Sequence, residues 1–318
     1  MQTRLLTIRK SIKHLNPLET VKRWGWIAFR ALLVTGLCFI ILYPLIQKLS
    51  VVFRNRSDMY DPTVLWIPKS FTLDNVIKAM DAMNYWIAFK NTLFISAGTT
   101  LLQVLSCALA AYAFARLRFW GSEVLFFLVI FTIVVPPQTL MIPTYLTYRY
   151  FDFFGILGWF GQDGINLIDT VWPFIMSSSL AAGLKNGLYI FIFRQFFRAI
   201  PKELEEAAYV DGCGIGATFF RIILPNAIPA FITVILFSFV WQWNDSYFVS
   251  LFFNKEQVLS TQVSALTAQI YQTITNDPLY VSMILNTGTL LVMAPLIIMY
   301  MFVQRYFVES VERTGIVG

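Results

Sequence analysis

The chain has 318 residues, of which 57% are apolar and only 13% charged, and its mean hydropathy is +0.64; soluble domains carry about 25% charged residues. Too few polar groups are present to cover a water-facing surface, which excludes an ordinary soluble enzyme and points to a single polytopic membrane domain. Cys38, Cys107 and Cys213 form no CxxC pair, the lone histidine His14 excludes HExxH metal chemistry, and no Gly-Lys dipeptide offers a phosphate-binding loop. The net charge of +6 resides in cations beside apolar runs, where membrane topology accounts for them better than nucleic acid does.

A bilayer core about 30 Å thick takes about 20 apolar residues of helix. Six such stretches occur, at 31–47, 91–115, 124–148, 171–193, 227–244 and 278–304. Continuous runs predict helices rather than barrel strands, so the expected fold class is an all-α polytopic membrane protein with six transmembrane helices. The 31–304 domain is flanked by a basic amino-terminal segment, 1–30, and a tail, 305–318. The long polar and basic lead, without a small-residue cleavage site after the first span, argues against a signal peptide. Segments on the amino-terminal side of the membrane hold 15 Lys and Arg against 8 on the other side, which predicts that both termini are cytoplasmic. Residues 73–89, in the long loop after the first span, suit a short amphipathic surface helix.

Polar residues within or beside the spans are candidates for a solute path. Pro136 and Pro137 with Gln138 free backbone groups in the third span, as transport sites on broken helices do; the same residues also suit a purely structural kink. Lys185 would cost about 2.5–3.5 kcal/mol at the bilayer centre, so it should face protein, water or an interface. Its neighbours Asn186 and Gly187 suit a bend. Trp241, Trp243, Asn244 and Asp245 close the fifth span with the aromatic and hydrogen-bonding groups that a sugar needs, although tryptophans at such a level also serve as membrane anchors. Asn286 adds a polar position in the sixth span. No catalytic or metal-ligating set is present in the pattern.

One inside connection is too long for a simple link between neighbouring helices, residues 194–225. Pro201 suits the first position of a helix, Glu203, Glu205 and Glu206 follow at the positive end of its dipole, and Gly212 suits its termination. A second short helix is expected over 217–224, ahead of Pro225. A helix, glycine turn and second helix with aromatic residues exposed could press into a partner's groove; the alternative is a hairpin resting on membrane lipid.

Glu206-Ala207-Ala208, three residues, Gly212, nine residues and Ile222-x-Leu224-Pro225 resemble the EAA loop of ABC importer permeases at every motif position. Arg194-Gln-Phe-Phe, Asp211-Gly212, Met141-Ile-Pro-Thr-Tyr, Trp243-Asn-Asp245 and Gln304-Arg-Tyr-Phe are similar to the MalG-like branch of carbohydrate permeases. Cys213-Gly214 and the acidic tail depart from that branch. The resemblance implies a type I ABC importer permease fold and a non-enzymatic transport subunit for sugars, oligosaccharides in particular, forming half of a pore. It implies as partners a MalF-like second permease, two cytoplasmic ATPase subunits and an extracellular solute-binding protein, in the bacterial cytoplasmic membrane. No cofactor is expected on this chain; ATP and Mg belong to the ATPases. Glu206, Ala207, Ala208, Asp211, Gly212, Ile222, Leu224 and Pro225 would form the ATPase-coupling element. The alternative is a permease of the same family for another solute, such as a glycerophosphodiester or an acidic oligosaccharide.

Overall fold

The computed structural model describes residues 17–153, 155–161, 164–255 and 257–315, and the side chains of 17–20 and 306–315 lie outside that description. The first half of the expected amino-terminal segment, His14 included, and residues 316–318 of the tail also lie outside it. The chain divides into two compact units, Met1–Leu73 and Asp74–Gly318. Among the described residues the regular structure is helical, with only two isolated bridges, Arg54 to Phe71 and Phe151 to Ile165.

In the first unit, α1 runs over Pro17–Val52 and includes a candidate span, Val21–Val52. After it the chain turns back through Arg54, which donates to Ser50 Oγ at 2.9 Å and to the Leu65 carbonyl at 2.6 Å. Buried Asp58 accepts the backbone N–H of Lys69 at 3.0 Å.

The second unit begins with α2 (Asp74–Ala82) and α3 (Tyr85–Arg116), so the expected 73–89 helix is split at Asn84, whose φ is +45°. The next elements are α4 (Ser122–Val134), α5 (Met141–Arg149), α6 (Trp172–Ser179) and α7 (Asn186–Ala199). They are followed by α8 (Glu203–Val210), α9 (Ile215–Asn226), α10 (Ile228–Trp243) and α11 (Tyr247–Phe252). The last two are α12 (Leu259–Thr273) and α13 (Pro278–Gly315). The α13 helix runs on as far as Gly315, into the segment expected as a separate tail.

Helix α3 is the centre of this unit, packing on α7, α10 and α6. Thr92, Ser96, Thr99, Gln103, Cys107 and Ala111 recur at helical spacing and are all buried. All but Gln103 are small, which lets backbones approach closely where apolar lipid offers no hydrophobic drive. One core cluster, with Tyr112, Phe193, Phe197, Phe219 and Ile223, lies where α3, α7 and α9 meet. A second, with Ile168, Phe174, Val249 and Phe252, packs α6 against α11.

Two of the six expected spans differ from simple continuous helices in an instructive way. The third bends by 103° between α4 and α5, where Val135 and Pro136 are extended and Pro137 opens a 3-10 turn. Two consecutive prolines lack the N–H groups that a continuous helix would use. The fourth is divided into α6 and α7, separated by a crossing segment in which Ala181 and Lys185 have φ of +53° and +61°. Among the described residues, three helices are individually long and apolar enough to cross a membrane, and the α4–α5 and α9–α10 pairs satisfy the same requirement as bent units.

Candidate functional site: a cavity between broken helices and an exposed hairpin

Buried Gln103 on α3 organises the break between α6 and α7. Its Nε2 donates to the Leu184 carbonyl at 2.5 Å and to Asn186 Oδ1, while its Oε1 accepts from Ser238 Oγ at 2.6 Å and from Gln242 Nε2 at 3.4 Å. Ser106, one turn along α3, donates to the Ser178 carbonyl at 2.6 Å. The broken backbone is thus satisfied by side chains, the condition under which irregular structure persists at membrane depth. Ala182 N donates to Ser177 O at 2.9 Å across left-handed Ala181, closing α6 with the bond pattern that glycine usually supports.

This break, the α4–α5 bend and the end of α10 surround a cavity of about 710 Å³. Pro137, Lys185 and Asp245 line it, together with Thr144, Tyr148, Asn186, Gln242 and Phe252. Lys185 Nζ sits 4.9 Å from the Trp241 ring centroid, a cation–π contact. Asp245 is buried, and its Oδ1 accepts the N–H groups of Tyr247 and Phe248 at 3.0 and 3.1 Å, capping α11. Burial pushes this carboxyl up to about 6, against the smaller opposing pull of those two N–H groups.

The other expected path residues do not line the cavity. Pro136 and Gln138 flank it at the bend. Trp243 is only 1% exposed, packs against Phe89 and Phe239, and donates to the Val292 carbonyl at 3.1 Å; it is a core residue, neither anchor nor stacking platform. Asn244 Nδ2 returns to the Val240 carbonyl at 2.8 Å, and Asn286 Nδ2 to Ser282 O at 2.8 Å. Gln103 and Gln242 escaped the sequence reading although an amide inside an apolar run is itself a signal of interhelical bonding.

The α4–α7 crossing depends on Gly187. A Cβ there would stand 2.7 Å from Val129 O and press on Thr132 Oγ1. Gly187→Ala is therefore expected to destabilise by about 1–3 kcal/mol, read as a lower thermal midpoint in detergent. An unchanged midpoint would show that α4 yields freely.

The long connection forms α8, a turn and α9. Gly212 has φ +82°, its N–H reaches Tyr209 O at 3.0 Å, and Cys213 N reaches Ala208 O at 2.9 Å. These two bonds make a Schellman termination. Glu205 and Ala208 face inward, one turn apart, whereas Glu206, Ala207 and Asp211 face outward with Leu204, Val210 and Ile215. The second helix starts at Ile215 rather than 217 and contains a π-turn, Phe219–Ile223. The wider turn precedes Pro225, whose ring would crowd the Arg221 carbonyl in a regular helix. Ile222 and Leu224 are half-buried and Pro225 is exposed.

The hairpin is tied inward by one ion pair. Arg116 Nε lies 3.2 Å from Glu205 Oε1, with the two side chains 4% and 9% exposed. The same guanidinium donates to the Phe197 carbonyl at 2.5 Å and to that of Ile200, at the carboxyl end of α7, where a cation complements the helix dipole. Burial raises the Glu205 carboxyl above its ordinary range, while Arg116 and then Lys202 pull it down. Arg116 thus joins the ends of α3 and α7 to α8.

Residues 104–313 match the family described as binding-protein-dependent transport system inner membrane component. The arabinooligosaccharides transport system permease protein AraQ of Halalkalibacterium halodurans is 26% identical over 89% of this chain and 93% of its own length. The osmoprotective compounds uptake permease protein GgtD of Synechocystis is 28% identical over 96% of both. A chain in the crystal structure of a bacterial ABC transporter that imports the acidic polysaccharide alginate superposes with a TM-score of 0.71 at 22% identity, over 91% of this chain and 98% of that one. With a cavity between broken helices and the family match over most of its length, the chain belongs to the inner membrane components of binding-protein-dependent transport systems.

Proposed function

We propose that the chain is a pore-forming permease subunit of an ATP-driven importer for oligosaccharides in the bacterial cytoplasmic membrane, with both termini in the cytoplasm. The observation that carries this reading is the exposed α8–Gly212–α9 hairpin, built on the residues of the EAA motif and held by Arg116 against α7, whose other end lines the cavity. Its partners are a second permease, two ATPase subunits that bind ATP and Mg, and an extracellular solute-binding protein. Closure of the ATPase pair displaces α8; Arg116 passes the displacement to α3 and α7; and Gln103 couples α3 to the break that carries Lys185 and Asn186. A contiguous, hydrogen-bonded path of this kind gives the two ends a shared pair of states. Oligosaccharides suit the cavity because its wall offers aromatic faces and both donors and acceptors.

The test is purification of the tagged chain in mild detergent, identification of what remains bound, and uptake of labelled oligosaccharides by the reconstituted complex. A second permease and an ATPase should be recovered. Gly212→Pro forbids φ near +82° and removes the N–H that meets Tyr209 O, and Glu206→Lys reverses charge on the outward face. Both should lower uptake by at least tenfold while the chain remains in the membrane. Undiminished uptake in both variants would exclude the hairpin from coupling.

A further inference from the structure

We infer that the amino-terminal end of α7 is a subsite for a carboxylate carried by the transported sugar, which makes a uronate-containing oligosaccharide the preferred solute. This rests on the importer reading above and adds the chemical class of its cargo.

Three independent features converge on that end of the cavity. The α7 helix spans 14 residues, and its first residues, Asn186 and Gly187, form cavity wall, so the positive end of its dipole opens there. Asn186 is 4% exposed and its Oδ1 is occupied by Gln103, yet its Nδ2 has no hydrogen-bond partner. A buried donor left open calls for a ligand. It sits beside Gly183, another residue of the cavity wall, where a Cβ would come within 3.6 Å of it. Lys185, the residue before the helix, brings a cation into the same wall with only the Trp241 ring recorded against it, and no carboxylate is paired with it among the described residues.

The donors are held in place at a conformational cost. Lys185 has φ of +61°, a conformation worth about 1–2 kcal/mol of strain for a side-chain-bearing residue. Gln103 fixes the following amide and the preceding Leu184 carbonyl. Helix terminus, amide N–H and ammonium all present hydrogen or positive charge, so an anionic oxygen satisfies them together, whereas a hydroxyl leaves the ammonium without a counter-charge. Asp245, the acidic group of the cavity wall, is occupied in capping α11 and forms no ion pair with Lys185. Phosphate would satisfy the same donors, but a sugar carboxylate brings a ring and hydroxyls that suit the aromatic, threonine, serine and glutamine groups of the rest of the wall.

The experiment measures binding of trigalacturonate and of the neutral trisaccharide raffinose to the purified transporter complex, following tryptophan fluorescence and, independently, equilibrium dialysis. Trigalacturonate should bind at least tenfold more tightly than raffinose. Lys185→Met and Asn186→Asp should each weaken it by about tenfold or more, the latter because Oδ1 still accepts from Gln103 while an anionic oxygen replaces the open N–H. Raffinose binding should weaken by a smaller factor than trigalacturonate binding in either variant. Equal affinity of the two sugars, or trigalacturonate affinity untouched by both substitutions, overturns the subsite. Uptake separates this from the importer reading. ATP-driven uptake of raffinose without trigalacturonate binding leaves the importer standing and removes the subsite. Lys185-dependent trigalacturonate binding without ATP-driven uptake of either sugar does the reverse.

Discussion

Replacing Arg116 by Met should lower stability by about 3–5 kcal/mol, because the change strands the buried Glu205 carboxylate and the Phe197 and Ile200 carbonyls at once. The paired change Arg116→Met with Glu205→Leu should recover much of that loss, since two apolar side chains of similar volume replace a desolvated ion pair. Recovery should be incomplete, because the α7 carbonyls stay without their donor. Thermal unfolding of the four proteins in detergent forms a double-mutant cycle that reads the pair directly. Purely additive effects would mean that the 3.2 Å approach contributes no coupling. In the reconstituted complex the double variant, though stable, should hydrolyse ATP with uptake reduced at least tenfold, since a sliding apolar contact no longer fixes α8 to α3 and α7. Full uptake in that variant would show that Arg116 serves folding alone.

The parts of this architecture visible in the sequence are those written in local chemistry. Three spans appear as long apolar runs, and each is a continuous helix even though Pro44 and Pro295 lie inside two of them. The bend of the third was readable from Pro136 and Pro137, two adjacent residues that both lack the backbone donor. Gly212 announced the end of α8 because only the left-handed region could continue the chain, and Lys185-Asn186-Gly187 signalled a bend in the fourth span. The full division of that span was not readable. Its left-handed residues are Ala181 and Lys185, neither a type that favours such φ, and the groups on either side of Lys185 are held by Gln103, a residue remote in sequence. The inward face of the hairpin escaped for the same reason: the glutamate run suggested helix-dipole stabilisation, whereas Glu205 alone turns to meet Arg116. Among the path residues, sequence could place Trp243 beside a sugar or a membrane interface, but the rings of Phe89 and Phe239 take it into the core.

Replacing Asp245 by Asn should stabilise the protein by about 1–3 kcal/mol at pH 7.5, with the advantage fading towards pH 4. The carboxyl rises from its usual 3.8 to about 6 because burial opposes its charge. Between those values the folded protein binds more protons than the unfolded chain, so stability falls as pH rises through the window and the penalty is complete above it. Asn keeps an oxygen that can accept from Tyr247 and Phe248, so α11 retains its cap, while no charge remains to be desolvated. Glu205 shifts in the same direction and gives wild type and variant the same slope, so the difference between the two curves isolates Asp245. Thermal midpoints at pH 7.5, 6 and 5 measure it. A difference constant across that range would mean that the Asp245 carboxyl does not titrate there, and that water reaching it from the cavity already relieves its burial.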